Sequence, residues 1–372
     1  MSKKIQNKSL NQLAWLRFRK NKLAMISLSF VIFITFLSIF GYVFISDNTP
    51  DANQQILEIS MLKPGSKVNF IKIKRLNALE KHGFLSELFV GENKSYQLMP
   101  YLSYETEGED VRVKEFTKDS LLESFYQVIP QSKIYHFETK DFIEQRIFWL
   151  GTDKFGRDIL SRLVIGSRVS LSVGLISVLI SLLIGMSLGA LAGYFGGKVD
   201  AFIMWIINVT WSIPTLLLVI AITLAIGKGF VQIFIAVGMT MWVEVARVVR
   251  GQVLSIKEKE YIEAAKALAY SHSRIIRKHI IPNVLSPIIV ISAANFASAI
   301  LMEAGLSFLG IGVQPPTPSW GTMIKENYGY IVFDGAEYMA IIPGLAIMLL
   351  VLAFILVGNG LRDAFDTKAN SY

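Results

Sequence analysis

The sequence predicts an all-α integral membrane protein with six transmembrane helices and a large extramembrane region between the first two. Three observations predict it. Hydrophobic residues make up 52% of the 372 residues, and the mean hydropathy is +0.47. The apolar residues are grouped in runs near 20 residues, the length that crosses a bilayer as a helix. The basic residues gather in two short segments beside such runs, as in the cytoplasmic loops of membrane proteins.

Each predicted span is an apolar run with few or no charges. The six runs are Leu23–Ile45, Val169–Gly193, Ala201–Gly227, Phe230–Val243, Ile280–Leu301 and Ala340–Gly358. The fourth is the weakest, because it continues into Glu244 and Arg247, which we expect to snorkel or to pair. The first is too long for the apolar core of a signal peptide and has no small-residue cleavage site. We therefore expect residues 23–46 to remain as an anchor.

The placement of the positive charge predicts the orientation. Lysines and arginines cluster in residues 1–22 and again between Arg247 and His279. Short basic loops stay in the cytoplasm, so both termini are predicted to be cytoplasmic. Residues 1–22 then form a basic amphipathic segment on the inner membrane surface, and residues 367–372 form a cytoplasmic tail. The net charge of +8 could also suit nucleic acid, but this placement favours topology and lipid headgroups.

Residues 47–148 differ in composition from the rest of the chain. They carry mixed charge, several glycines and scattered aromatic residues, and they follow the first span, so they are predicted to lie outside the cytoplasm. The stretch Val68–Lys74 alternates apolar and polar residues, which favours a β-strand. A small folded external domain is predicted. A poorly ordered insertion is the alternative.

Glycine and proline positions predict how the spans pack. Gly185, Gly189 and Gly193 are four residues apart and share one helix face. Small residues at that spacing let helices approach closely in lipid, which we favour over a substrate groove. Pro214 removes one backbone hydrogen bond from the third span and is expected to kink it, either as a hinge or as tolerated packing.

The sequence contains no recognisable catalytic, metal or nucleotide motif. It has no cysteine, no Walker sequence, no His-Glu-x-x-His and no Gly-x-Ser-x-Gly. Asp153, Arg157 and Asp158 before the second span are expected to be solvated or to cap and pair locally. Glu303 is the best candidate for a functional charge within a span, and with Pro214 it is a possible pathway or hinge residue. The spans lack the acid relay of a proton-driven pump.

The polar segment 260–283, between the fourth and fifth spans, predicts a short pair of amphipathic helices. Ile262, Ala265 and Ala269 recur at i, i+3 and i+7 and form one apolar stripe. Ser271 or Ser273 can cap a second helix that ends at His279, and Pro282 marks the start of the next span. Such a segment either enters a groove on a partner or lies on the bilayer.

This segment resembles the Glu-Ala-Ala motif of the permeases of bacterial ATP-binding-cassette (ABC) importers. Glu263, Ala264 and Ala265 match the motif, and so do Ile281 and Pro282. The resemblance implies that these residues couple the permease to an ATPase. Ala269 stands where the family usually has a glycine. Either the helix continues there, or alanine adopts a left-handed turn at a cost of about 1 kcal/mol.

Other segments resemble the dipeptide/oligopeptide/nickel subfamily, and in particular its second, C-type permease. Leu150–Arg162 is similar to the signature Leu-Gly-Thr-Asp-x-x-Gly-Arg-Asp. Further similar stretches are Trp15–Ala24, Gly193–Asp200, Glu303–Gly310, Gly312–Gly321 and Pro343–Asp363. The match covers residues 10–46 and 149–366, so the latter are expected to form a permease core with five spans. Residues 47–148 are longer than the usual external loop of the family.

The resemblance implies a function. The chain is expected to be one of two permease subunits of an ATP-driven importer of short peptides in the bacterial inner membrane. Its implied partners are the second permease, two ATPases that bind ATP and Mg²⁺, and an extracytoplasmic binding protein. No cofactor is expected in this chain. Nickel or another small solute stays possible, since specificity would lie largely in the binding protein. An ATP-independent carrier or channel, or a scaffold built on residues 47–148, are the alternatives from other classes.

Overall fold

The computed structural model describes residues 10–75, 83–117, 125–139, 141–227 and 229–366. The chain divides into two compact units. The helical unit comprises the described parts of Met1–Ile34, Ser170–Gln314 and Ala346–Tyr372. The sheet unit comprises those of Thr35–Val169 and Pro315–Leu345.

Most of the described secondary structure is helical, as predicted. The helices in chain order are α1 Leu10–Phe18, α2 Lys22–Phe44, α3 Phe84–Val90, α4 Ile159–Phe195, α5 Gly197–Trp211, α6 Thr215–Ile226, α7 Phe230–Lys257, α8 Glu260–Ala267, α9 His272–Ile275, α10 Ile281–Phe308, α11 Trp320–Asn327 and α12 Tyr338–Phe365. Within the described residues, five helices are long and apolar enough to cross a membrane, and six spans result if the bent pair α5–α6 counts as one. The apolar runs of the sequence thus locate the spans.

The three glycines of α4 form the contact between α4 and α7. A Cβ added at Gly185 would lie 2.6 Å from Cβ of Val245, and one at Gly189 would lie 2.4 Å from the backbone oxygen of Ala246. At Gly193 the distance to Cβ of Val253 would be 2.7 Å. Real Cβ atoms do not approach other atoms this closely, so the absence of side chains sets the helix separation. The predicted packing role of this face is confirmed.

The third span is broken where the sequence predicts a kink. α5 ends at Trp211 and α6 begins at Thr215, and their axes differ by 91°. The sequence predicts a kink in one helix, whereas the structure has a break between two helices. Proline has no N–H to continue the helix, and it also disfavours helical geometry at the preceding residue, Ile213. Pro214 lies at the N-cap of α6, and Arg247 of α7 stacks its guanidinium 3.6 Å from the ring centroid of Trp211.

Helix α1 packs partly on the protein itself. Ala14 and Phe18 are buried against Ala364 of α12, and Arg17 Nη1 donates to the backbone oxygen of Asp366 at 3.2 Å. Trp15 remains 49% exposed. One side of the predicted amphipathic segment is therefore covered by α12, and the other is open.

The sheet unit contains an antiparallel sheet within residues 66–148. Its described strands are β1 Ser66–Lys74, β2 Tyr96–Glu107, β3 Asp110–Glu115, β4 Tyr126–Pro130 and β5 Ile143–Phe148. They lie in the order β4-β3-β2-β1-β5. The predicted strand at Val68–Lys74 is present as β1. Val68 and Phe70 pack into one hydrophobic cluster, while Ile71 packs into another. Both faces of β1 are covered, so this part of the chain has a hydrophobic core of its own.

The signature before α4 forms a buried polar network. Asp153 accepts hydrogen bonds from the backbone N–H of Phe155 (2.9 Å) and Arg157 (3.0 Å), and from Arg157 Nε (2.6 Å). Arg157 Nη2 also donates to Glu326 of α11 at 2.5 Å. Asp153 and Arg157 are 2% and 3% exposed. The expectation of local pairing is therefore confirmed, and that of solvation is wrong.

The second glycine of this signature is required by a close approach of the backbone of Ile56. Gly156 has φ +73°, and a Cβ there would lie 1.7 Å from the backbone oxygen of Ile56. Asp158 accepts from Ser46 Oγ at 2.7 Å and from Ser161 Oγ. Burial raises the pKa of Asp158, although both hydroxyls act to lower it. The signature residues thus hold the chain that enters α4, which is a structural role.

A buried lysine in the sheet unit predicts pH-dependent stability. Burial lowers the pKa of Lys94 from 10.5 to about 8, and the nearby Arg146 acts in the same direction. Between these values the unfolded chain binds more protons than the folded one, so stability rises with pH. At pH 7 the cost of the buried charge is fully present. We expect Lys94→Met to stabilise this unit at pH 7 by roughly 1–3 kcal/mol.

Hydrogen exchange of the strand amides in the full chain measures this effect. Wild type and Lys94→Met are compared at each pH, so that intrinsic exchange cancels. The gain from the substitution should shrink as pH rises from 8 towards 10. Lys133→Met, in a side chain outside this buried cluster, serves as the control. A gain that is the same at pH 7 and pH 10 would contradict the assignment to charge burial.

Candidate coupling surface

Helix α8 is anchored by two buried side chains. Ile262 is 0% and Ala265 4% exposed, and both belong to a hydrophobic cluster with Val253 of α7, Ile280 and Val284. The i, i+3 spacing places the two residues on one face, as the sequence predicts. This cluster joins α8 to the C-terminal part of α7 and the N-terminal part of α10.

A second face of α8, about 100° round the helix from the buried one, is open and carries its own apolar stripe. Tyr261, Ala264 and Leu268 stand at i, i+3 and i+7, and all three are exposed, Leu268 by 67%. Sequence reasoning missed this second stripe, although the same periodicity shifted by one residue reveals it. An exposed apolar strip on a short polar helix is a surface suited to packing against another protein.

Glu263 lies beside this strip. Its carboxylate is exposed and makes no ion pair with any residue in the described part of the chain. Together with Glu260 it lies in the first turn of α8, where negative charge interacts favourably with the helix dipole. That interaction is worth about 0.3–1 kcal/mol, too little to determine whether the helix forms.

The turn after α8 decides the question posed by Ala269. The N–H of Ala269 donates to the backbone oxygen of Lys266 (2.9 Å), and the N–H of Tyr270 donates to that of Ala265 (3.1 Å). This pair of bonds defines a Schellman motif, whose C′ residue is left-handed. Ala269 occupies that position with φ +54°. The residue is therefore strained, and it lies outside the buried stripe in which the sequence placed it.

Relief of this strain is a testable expectation. Ala269→Gly removes the Cβ from a left-handed position and should stabilise the end of α8 by about 1 kcal/mol. Hydrogen exchange of the α8 amides should slow about fivefold if local opening governs it. Ala267→Gly, in the helix itself, should have the opposite sign, because glycine costs about 1 kcal/mol there. Equal effects of the two substitutions would refute the left-handed turn.

The chain continues from α9 into α10 without interruption. Ser271 caps α9, since its Oγ accepts from the N–H of Arg274 at 3.4 Å. A π-helical turn, Ile276–Ile280, joins α9 to α10. The prediction of a separate helix ending at His279 is therefore wrong. Pro282 lies in the first turn of α10 and has no N–H to donate, and the wider turn before it accommodates the missing bond.

The two remaining site predictions fall far from α8 in the sequence and differ in environment. Pro214 is exposed at the break between α5 and α6. Glu303 is fully buried within α10, where Ser307 Oγ donates to it at 2.8 Å and Ser170 Oγ at 3.3 Å. Its carboxylate faces hydroxyl groups. The roles of Pro214 and Glu303 in a pathway or hinge stay predictions.

Comparison with known proteins identifies the family. The family described as "binding-protein-dependent transport system inner membrane component" matches residues 185–371, half of the chain. The chain belongs to this family. The N-terminal transmembrane domain of oligopeptide transport permease C matches residues 9–64. The family match contains α7, α8, the turn at Ala269 and α10.

Several relatives of this inner membrane component are known. The dipeptide transport system permease protein of Alkalihalophilus pseudofirmus is 44% identical over 223 residues, which are 60% of this chain and 73% of the relative. The glutathione transport system permease protein of Pectobacterium atrosepticum gives the same identity and coverage. The dipeptide permease of Bacillus subtilis is 43% identical over 59% of this chain and 68% of its own length. This chain is thus longer than these relatives, and residues 65–184 lie outside both family matches.

Membership of the family establishes the general role of the chain. It is a multi-pass membrane subunit of a transport system that works with the other components of an ABC transporter. Its relatives are permease subunits, which agrees with a role of this chain as a transport subunit. The C-type permease predicted from the sequence is confirmed by the match at residues 9–64.

Proposed function

We propose that this chain is one of two permease subunits of an ATP-driven importer of short peptides. Its relatives are named for transport of dipeptides and of glutathione, which share an amide backbone with charged ends. Two ATPases that bind ATP and Mg²⁺ dock on the inside, and an extracytoplasmic binding protein delivers the peptide. The chain itself needs no cofactor.

The observation that carries the proposal is the two-faced helix α8. Its buried face, Ile262 and Ala265, is fixed in the cluster at the base of α7 and α10. Its open face presents Tyr261, Ala264 and Leu268 with no cover from the described residues. A helix fixed on one side and open on the other can transmit a displacement to the helices beneath it. Residues 260–283 form the coupling segment in this proposal, and its site residues are Glu263, Ala264, Ala265, Ala269, Ile281 and Pro282.

The geometry supports a path for that displacement. Val253 and Ile256 of α7 belong to the same buried cluster as Ile262 of α8. Arg250 of α7 binds Asp200 of α5 through two hydrogen bonds of 2.5 and 2.6 Å. Movement of α8 on ATPase closure would thus act on α7 first and on α5 through this ion pair. Rigid-body rocking of packed helices is the expected response.

The orientation follows from the same proposal. The basic segment between Arg247 and His279 lies in the cytoplasm, so α8 faces the ATPases. Both termini are then cytoplasmic, and the sheet within residues 66–148 is extracytoplasmic. The membrane is the bacterial inner membrane, in keeping with the family description.

Purification of the tagged native protein in a gentle detergent tests the assembly. Mass spectrometry of the companions should identify a second permease and one or two proteins with Walker motifs. Peptide uptake by the reconstituted complex should require ATP and the binding protein. Recovery of this chain alone, under conditions in which other ABC complexes survive, would exclude the proposal. Uptake driven by an ion gradient without ATP would favour a secondary carrier instead.

A further inference from the structure

A groove of about 480 Å³ lies in the helical unit between α4 and the continuous helix formed by α9 and α10. Leu183, Leu191 and Phe195 form its wall on α4, and Ile276 and Ile281 lie opposite. These α4 side chains are 72%, 39% and 48% exposed. The groove is therefore apolar, and its open side runs along α4, which is long enough to cross the membrane.

The length of this wall matches one leaflet of a bilayer. Leu183 and Phe195 are about 18 Å apart along α4, at 1.5 Å per residue. The hydrocarbon core of a bilayer is about 30 Å thick, so one leaflet accounts for roughly 15 Å. A single acyl chain of a lipid would lie along the groove from end to end.

One end of the groove is polar and carries a cation. His272, Ser273 and Arg277 line it there. His272 marks the Phe195 end of α4, since its ring lies 5.8 Å from that of Phe195 and its Nδ1 is hydrogen-bonded to the hydroxyl of Tyr194 at 2.8 Å. Arg277 is exposed and makes no ion pair within the described part of the chain. The groove thus passes from a polar, positive end to an apolar one.

We propose that this groove binds one anionic glycerophospholipid of the inner leaflet. One acyl chain would lie against the α4 wall, and the phosphate would be bound by the Arg277 guanidinium, with Ser273 Oγ and the free nitrogen of His272 as further donors. A guanidinium binds a phosphate through charge-assisted hydrogen bonds, and basic pockets between spans on the cytoplasmic side suit anionic headgroups. Free phosphate would leave the apolar wall uncovered, so the lipid is the ligand of matching chemistry.

The position of the site gives it a consequence for transport. His272 and Ser273 follow directly on the turn at Ala269, and Ile276 packs against the cluster that holds α8. A lipid in the groove would therefore brace the coupling segment from the membrane side. Lipid binding itself does not depend on the nature of the transported solute, so it can be tested separately from the proposed function.

Native mass spectrometry of the purified complex tests the site, with dioleoyl phosphatidylglycerol and dioleoyl phosphatidylcholine as probes. Wild type should retain one phosphatidylglycerol in preference to phosphatidylcholine. Arg277→Gln should lower that retention about tenfold, the loss expected for one charged hydrogen bond. Arg274→Gln is the matched control, because Arg274 stacks over Tyr270 at 4.1 Å and does not line the groove.

A second substitution tests the apolar wall. Ser187 is exposed and lines the groove, so Ser187→Trp should fill it and displace the lipid whatever its headgroup. Equal retention by Arg277→Gln and wild type would overturn the proposal, as would equal losses for Arg277→Gln and Arg274→Gln. A cross-link from Ser187→Cys to another protein subunit would overturn it too, because the groove would then be a protein interface.

Discussion

Uptake of peptide by the assembled transporter should fall to background when Glu263 is replaced by lysine. The substitution reverses a charge beside the open strip of α8, which the proposed function places against an ATPase. Leaving a charge without its partner in a desolvated interface costs about 2–5 kcal/mol, or a factor of roughly 30 to several thousand in binding. The intrinsic effect on α8 is smaller, about 0.3–1 kcal/mol from the helix dipole. The helix should therefore fold while coupling fails.

The measurement pairs peptide uptake with copurification of the ATPases. Both should be lost in Glu263→Lys, while the amount of this chain in the membrane stays unchanged. Glu258→Lys makes the same change of charge just before α8 begins, in an exposed residue. It should keep most of the activity. If Glu263→Lys transports normally, α8 does not couple the subunits. If both variants fail alike, general electrostatics rather than this position is responsible.

Gly189→Ala should prevent correct packing of the helical unit. The new methyl group would lie 2.4 Å from the backbone oxygen of Ala246, so the backbone of α7 has to move. Overpacking of this kind costs about 1–3 kcal/mol in ordinary cores and more where backbone must shift. In a bilayer, packing two apolar helix surfaces together gives no hydrophobic stabilisation, because the lipid tails are equally apolar. The association of α4 with α7 therefore depends on close van der Waals contact. A cost above 3 kcal/mol is expected.

Gly251→Ala is the matched control, since a Cβ there meets no atom within 4 Å. Alanine is the better helix former by about 1 kcal/mol, so this variant should be neutral or stabilised. Thermal aggregation of the detergent-solubilised, fluorescently tagged chains measures both. The signs of the two effects should be opposite. A Gly189→Ala protein as stable as wild type would mean that α4 and α7 do not meet at this face.

The parts of the fold that depend on local composition could be predicted from the sequence. Apolar runs locate the spans, and the four-residue spacing of Gly185, Gly189 and Gly193 predicts a close helix contact. The angle between α5 and α6 could not be predicted. Pro214 predicts the loss of one backbone hydrogen bond, but the 91° angle depends on which residues pack against α5 and α6. The pairing of strands across residues 66–148 is likewise set by contacts between distant residues.

The candidate site could likewise be predicted where it depends on local spacing, but not where it depends on distant contacts. The spacing of Ile262 and Ala265 places them on one helix face, and they are buried together. The left-handed turn at Ala269 was one of two possibilities, because alanine has a high helix propensity. The φ of +54° there is set by the direction in which the chain continues after α8. The burial of Asp153 and Arg157 was missed, because charged residues outside a span are normally solvated and their distant partner, Glu326, is not visible from spacing.

The first and last strands of the sheet within residues 66–148 lie side by side. β1 and β5 are neighbours, and Ser66 pairs directly with Phe148, so the chain leaves and returns at positions about 5 Å apart. A segment with adjoining ends can be gained or lost during evolution without displacing what flanks it. A change in the length or sequence of this segment can thus be accommodated while the elements on either side of it keep their places.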